Sequence, residues 1–275
     1  MCLPGTIEAV RENGSAVSRR AVLAGGGAAA LAAFVPSGAE AHRRKRRKHR
    51  GRVVDLTHTF TAGFPVYTGN APAKRTLTTI PANGFYKQEW TFDEHSGTHL
   101  DAPGHFVAGG RTTPELTARE LIVPVVVIDI SKRARRDPDA EVTADDLRRH
   151  ERRHGRIPKD ALVAMNSGWA AKLGTPAYKG ADSGGTYHFP GFGLSAIEYL
   201  IDRRRGAAIG VDTLSLDNGP STTFIVHSTW LGADNYGIEN LAGLHRLPAT
   251  GATATVGVVP WDAGSGGPAR VLASY

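Results

Sequence analysis

The amino-acid sequence predicts an α/β fold. Short β-branched runs recur along the chain, helix-start signals fall between them, and no long linker separates them. The first run is Val123-Pro124-Val125-Val126-Val127-Ile128-Asp129-Ile130, whose almost unbroken apolar character is that of a strand buried on both faces. Ala161 to Met165 and Ala207 to Val211 have the same character. Between the first two runs, Thr143-Ala144-Asp145-Asp146 opens a helix running toward His154, with a threonine to cap it and acidic residues in its first turn. Before the third, Ser195-Ala196-Ile197-Glu198 reads as a capping box, in which hydroxyl and carboxylate each accept a backbone N–H, and starts a helix reaching about Arg205. With no internal repeat, residues 53–275 read as one domain.

Composition narrows the function classes. At 275 residues, with 41% hydrophobic and 21% charged, the chain is neither disordered nor collagen-like. Its formal charge of +7 is not spread evenly: residues 1–52 carry 11 Lys/Arg against 3 Asp/Glu, which leaves 22 basic and 23 acidic residues in 53–275. A nearly neutral body lacks the cationic surface that counterion release requires, so no nucleic-acid partner is expected. Cys2 is the only cysteine. Disulfide frameworks and thiolate metal sites are excluded, and any metal must sit on histidine and carboxylate ligands.

Residues 1–41 read as a Tat-type signal peptide. Ser18-Arg19-Arg20-Ala21-Val22-Leu23 places a twin-arginine pair before an apolar stretch from Ala21 to Val35, and Ala39-Glu40-Ala41 supplies the small residues of a cleavage site. That stretch spans 15 residues and contains Gly25, Gly26 and Gly27. A membrane span needs about 20 apolar residues, so no stable anchor is expected. Cleavage leaves a basic leader, residues 42–52, whose like charges keep it solvated. The expected location is extracytoplasmic.

The chemistry is concentrated in His95-Ser96-Gly97-Thr98-His99-Leu100-Asp101-Ala102-Pro103-Gly104-His105. Gly97, Pro103 and Gly104 oppose a helix, so the relevant period is two, and on an extended chain positions 95, 99, 101 and 105 share one face. At ~3.3 Å per residue a straight strand would hold His95 and His99 about 13 Å apart, too far for one ion. A bend at Gly97 resolves this, because glycine is where such a bulge costs least.

The spacing His-x3-His-x-Asp-x3-His resembles the signature of the cyclase family, which contains bacterial kynurenine formamidases and isatin hydrolases. The resemblance begins at Asp55-Leu56-Thr57-His58 and Phe64-Pro65-Val66-Tyr67-Thr68-Gly69-Asn70, and runs through Asn166-Ser167-Gly168-Trp169, Phe189-Pro190-Gly191 and Gly210-Val211-Asp212-Thr213. It ends with His227-Ser228-Thr229-Trp230 and Ile238-Glu239-Asn240-Leu241. It implies a swivelling β/β/α fold with a β-barrel-like central sheet flanked by helices, and a dimer or higher homo-oligomer. It also implies a divalent metal, zinc or manganese, as one or two ions. His95, His99 and Asp101 would hold one ion, Asp101 and Glu239 would bridge, and His227 would belong to the second. His105 matches the family's proton-transfer histidine. Where the formamidases carry a tryptophan that stacks on the kynurenine ring this chain has Tyr67, which argues against formylkynurenine while keeping an aromatic face for the substrate.

Elementary chemistry leads to the same place. A divalent ion lowers the pKa of bound water from 15.7 to about 7 and polarises a carbonyl, which suits hydrolysis of an amide or lactam C–N bond with metal-bound hydroxide as nucleophile. The leaving nitrogen needs a proton, and a non-ligating histidine beside the metal, His105, is the general acid/base. The rival is a noncatalytic exported metal- or small-ligand-binding protein on the same fold, which would have no use for His105. Two other motifs are decoys. His150-Glu151-Arg152-Arg153-His154 fits the zincin pattern, but its arginine neighbours and the Gly155 and Pro158 that follow read as a solvated helix face. Asp182-Ser183-Gly184 reads as a glycine-rich surface loop. For the export signal, the Arg19→Lys/Arg20→Lys double variant is expected to stay in the cytoplasm, because lysine lacks the planar donor fork of arginine. Fractionation of expressing cells checks this, and unchanged export would remove the Tat assignment.

Overall fold

The computed structural model describes residues 51–204 and 207–275. The expected signal segment 1–41, the expected leader up to residue 50 and the expected helix end at Arg205 lie outside the described residues. In chain order the strands are β1 (Val53–Asp55), β2 (Ala73–Thr78), β3 (Lys87–Thr91), β4 (His99–Asp101), β5 (Ile122–Asp129), β6 (Glu141–Val142), β7 (Leu162–Asn166), β8 (Gly191–Phe192), β9 (Ala208–Val211), β10 (Tyr236–Glu239), β11 (Ala252–Val258) and β12 (Gly266–Ser274). The helices are α1 (Ile80–Asn83), α2 (Ser131–Ala134), α3 (Ala144–His154), α4 (Leu194–Arg204) and α5 (Ile225–Gly232).

Residues 75–89 are the described part of the smaller of two compact units. It holds α1 between the paired strands β2 and β3, and Arg75 forks onto Glu89 at 2.7 and 3.0 Å. Residues 51–74 and 90–275 make up the larger unit, which contains the barrel.

Seven strands close in the order β12-β11-β5-β7-β9-β10-β4, because β4 pairs with β10 on one side and β12 on the other. The length of β12 permits this closure: one edge takes β11, while the other takes β4 at Gly266–Pro268 and β1 at Leu272–Ser274. Strands β5, β7, β9 and β10 run parallel, with α3, α4 and α5 on the successive crossovers, as parallel pairing demands. The expected strands at 123–130, 161–165 and 207–211 are β5, β7 and β9, each within one residue at either end.

Alternation along these strands separates two cores. Val123, Val125, Val127, Leu162, Ala164, Leu100 and Ile238 fill the barrel, whereas Val126, Ile128, Val163, Met165, Ile209 and Val211 pack under helices through Leu147, Ile197, Leu200 and Trp230. The two motifs around Ser167 and Asp212 brace adjacent strand ends: buried Asp212 accepts hydrogen bonds from the Ser167 hydroxyl at 2.5 Å and from the Trp169 N–H at 3.0 Å.

Helix α3 starts as expected, with the Thr143 hydroxyl and the Asp146 carboxylate forming a reciprocal capping box. The capping box expected at Ser195 does not form. Helix α4 begins at Leu194, two residues before the start that a Ser195 cap would set, with Gly193 C=O accepting the Ile197 N–H, and the Ser195 hydroxyl accepts the Ala144 N–H at 3.3 Å instead. A tertiary partner, the first turn of α3, has taken the hydroxyl that the local pattern assigned to its own helix.

The zincin-like residues of α3 do structural work. The arginines are exposed as expected, but His150 is buried, which corrects the solvated reading for that one position. Glu151 accepts from Arg204 Nη2 at 2.5 Å, from Tyr199 OH at 2.6 Å and from the Ile157 N–H at 3.0 Å. Burial opposes its ionisation, but Arg204 and Tyr199 outweigh it and hold the carboxyl at about 2, below the ordinary 4.5. A depressed carboxylate contributes stability that is complete above its unfolded pKa and fades as pH falls toward the folded value. Glu151→Gln is therefore expected to cost about 1–3 kcal/mol near pH 7, with the difference from wild type shrinking below pH ~4.5. Urea unfolding at pH 7 and pH 3 reads this directly. An equal cost at both pH values would contradict it.

Candidate metal centre

The centre follows from one strand register. Pairing of β4 with β10 sets His99 opposite Glu239, Leu100 opposite Ile238 and Asp101 opposite Gly237. Leu100 and Ile238 belong to the barrel interior. Successive side chains alternate, so His99, Asp101 and Glu239 share the outer face, where α5 packs on β10. A Cβ at position 237 would lie 2.5 Å from the Leu216 side chain, which would have to shift to admit it.

Gly97 supplies the expected bend. It adopts φ +70°, and any Cβ there would stand 2.5 Å from the Phe60 ring. The turn brings the His95 and His99 rings to 5.4 Å between centroids. Gly97 C=O accepts from His99 Nδ1 and from the Asn240 amide, both at 2.9 Å, which leaves His99 Nε2 directed at the carboxylates, 3.3 Å from Asp101 and 3.4 Å from Glu239. The extended reading fails beyond Asp101. Pro103–His105 form a 3₁₀ turn, which returns His105 over His95 with 3.7 Å between stacked rings.

His227 enters from α5. Its Nδ1 faces Asp217 Oδ2 at 2.6 Å, and Asp217 also accepts the Val226 and His227 N–H groups at 2.9 and 3.1 Å. The same carboxylate thus caps the helix and fixes the imidazole. His227 Nε2 points at Glu239 Oε1, 3.1 Å away, and at Asp101 Oδ2, 3.8 Å away.

Asp101 is fully buried, and its Oδ2 has no hydrogen-bond partner among the described residues. An ionised oxygen stranded in that way is costly unless a cation answers it. The electrostatics agree. Burial works against the Asp101 charge, but His99 and His95 outweigh it and hold the carboxyl well below its ordinary range, while burial and the Asp101 charge push Glu239 up. Burial likewise opposes protonation of His99 and His227, yet the neighbouring carboxylates raise them to about 9 and about 10. In the protein alone, protons on histidine therefore answer the two carboxylates, and a divalent ion would displace those protons. Ligand atoms converge in two groups, His95/His99/Asp101 and Asp101/His227/Glu239, each within 4.8 Å. All five expected ligand residues are brought together, and Asp101 belongs to both groups. The donor set of three imidazoles and two carboxylates fits a divalent cation.

His105 contributes to neither group. It is half-buried, and burial pulls it down to about 4, so its imidazole is neutral at neutral pH. Above the donors lies a cleft of about 370 Å³, bordered by His105, Tyr67, Phe106 and Phe224. Phe106 stacks on His227 at 4.8 Å, and the Tyr67 and Phe224 rings meet edge to face at 5.5 Å. The sequence reading missed Asp217, Phe106 and Phe224. The Asp182 loop is a surface turn closed by the Gly184 and Thr186 N–H groups on its carboxylate at 2.8 and 2.9 Å.

The family assignment follows. Residues 54–218 match the family described as "Putative cyclase", and the chain belongs to that cyclase family. It is 37% identical over 200 residues to an isatin hydrolase of Roseibium aggregatum, covering 69% of this chain and 75% of that protein. Isatin hydrolase A from Labrenzia aggregata, solved with benzyl benzoate bound, is similar with a TM-score of 0.77 at 34% identity, over 82% of this chain and 93% of that one. The corresponding enzyme of Ralstonia solanacearum has a TM-score of 0.77 at 33% identity, over 82% and 92%. These likenesses support a hydrolase.

Asp217 anchors His227 without reaching the donor atoms, so Asp217→Asn is expected to weaken zinc binding about 10- to 100-fold while the protein stays folded. Competition against a chromogenic chelator measures this, and unchanged affinity would assign Asp217 to helix capping alone.

Proposed function

We propose that the protein is a metal-dependent hydrolase of an amide or lactam C–N bond in a cyclic or aromatic substrate. One observation carries the reading: two donor groups sharing Asp101 lie at the base of a cleft that has aromatic walls and a histidine held beside the donors without belonging to either group. The similar isatin hydrolases favour a lactam, and Tyr67, where the formamidases have tryptophan, keeps an aromatic contact. The donor set suits zinc or manganese, and the shared Asp101 suits two ions.

A divalent ion bound there supplies a Lewis acid for the substrate carbonyl and brings water into the ionisation range of neutral pH. Tyr67, Phe106 and Phe224 hold a flat ring by its faces and edges and narrow the access of bulk water. His105, fixed against His95 by stacking, takes the proton of the attacking water as the new C–O bond forms. It returns that proton to the nitrogen as the C–N bond breaks, which leaves a carboxylic acid and an amine, both on one ring-opened molecule when the substrate is a lactam. Asp217 and the Gly97 carbonyl keep His227 and His99 from rotating out of place. The Tat-type signal read in residues 1–41 supports an extracytoplasmic location for this chemistry.

The test is a hydrolysis screen over isatin, other lactams and N-formyl aromatic amines with zinc- or manganese-loaded protein, followed by His105→Asn on the best substrate. The variant is expected to keep its metal and lose about 10² to 10⁴ in kcat. Wild-type turnover at full metal content would make His105 structural, and metal loss would make it a ligand. Metal binding with no turnover of any substrate would favour the exported binding protein instead.

A further inference from the structure

Both ring nitrogens of His95 face polar side chains, one of them outside the donor set. Nδ1 lies 2.7 Å from Asp101 Oδ1, and Nε2 lies 2.9 Å from the Ser265 hydroxyl. The Ser265 hydroxyl in turn contacts Glu94 Oε1, which also accepts the Ser265 N–H at 3.3 Å. Glu94 itself stands 3.8 Å from His95 Nε2, beyond hydrogen-bond reach, so it acts on the ring through the serine.

The directions of these bonds are determined. A carboxylate can only accept, so the hydroxyl hydrogen of Ser265 goes to Glu94. The serine oxygen must then accept from His95, which puts a ring proton on Nε2. Nδ1 faces Asp101 Oδ1 at 2.7 Å and can donate its own proton there, and because the serine holds the other proton on Nε2, the Nδ1 proton is the one a cation bound to Asp101 would displace. Gly266 makes the arrangement sterically feasible, because a Cβ there would stand 2.5 Å from His95 Cε1.

We infer that Ser265 and Glu94 form a positioning relay that locks His95 in the tautomer able to ligate through Nδ1, and so sets the affinity of the His95/His99/Asp101 group for its ion. The inference rests on the metal-centre reading and is independent of the substrate. Neither residue lines the cleft, and Glu94 reaches the surface, with its side chain 37% exposed.

The experiment is zinc affinity by chelator competition on wild type, Ser265→Ala, Glu94→Gln and the double variant, with the thermal stability of each metal-free protein measured alongside. Ser265→Ala is expected to weaken binding about 10- to 100-fold and Glu94→Gln by less, with metal-free stability retained. Because Glu94 acts through Ser265, the double variant should bind no more weakly than Ser265→Ala. Ser265→Thr, which keeps the hydroxyl, should restore affinity. In zinc-loaded wild type, the nitrogen chemical shifts of His95 should show a protonated Nε2. Wild-type affinity in both single variants would overturn the relay while leaving the centre intact. Fully additive losses would assign Glu94 a separate role, and no zinc binding by wild type would overturn the metal-centre reading and the relay with it.

Discussion

Two carboxylates buried within reach of the same atoms are the constraint around which this structure is arranged. Asp101 and Glu239 lie on paired strands, the first fully buried with an oxygen left unpartnered among the described residues, the second pushed up by burial and by its neighbour. Hydrophobic packing cannot compensate such a pair, because a buried ionised oxygen without a partner is among the costlier defects a fold can carry. Histidines on three sides, each held by a second group, are the compensation. Gly97 C=O holds His99, Asp217 holds His227 and Ser265 holds His95. Barrel closure makes the cluster possible, since β4 reaches β10 only because β12 accepts it on its other edge.

Much of this was legible in the sequence. The density of ligand-type residues between His95 and His105 marked the centre, and Gly97 marked the bend, because both signals are local. His227 and Glu239 came through family resemblance, and the register that sets Glu239 opposite His99 explains why they belong there. The parallel strands were readable because burial on both faces leaves a continuous apolar run in the sequence. Their closure into a barrel was implied by the family alone, as no local pattern encodes which edge strand meets which.

What was hidden depended on distance along the chain. Ser265 lies 170 positions from His95, and an isolated serine before two glycines carries no signal of its own. Asp217 lies 10 positions before His227, across a loop. Local patterns also misled where tertiary partners intervened. The Ser195 hydroxyl serves α3 rather than α4, and His150 is buried although it sits in a run of arginines, since on a helix neighbours in sequence point about 100° apart. The zincin-like glutamate is held by Arg204 and Tyr199 as a helix-to-helix tie, an ordinary structural use of a motif that elsewhere performs catalysis.

The most direct test of the central claim is anomalous scattering from crystals of the zinc- or manganese-loaded protein. The account predicts a peak about 2.0–2.2 Å from an Asp101 oxygen and from His99 Nε2, with His95 Nδ1 completing that group, and a second peak shared by Asp101, His227 and Glu239. A single peak in the first group would retain the centre and reduce it to one ion. Peaks only elsewhere, at His150 and His154 for example, with Asp101 left without an ion, would contradict it.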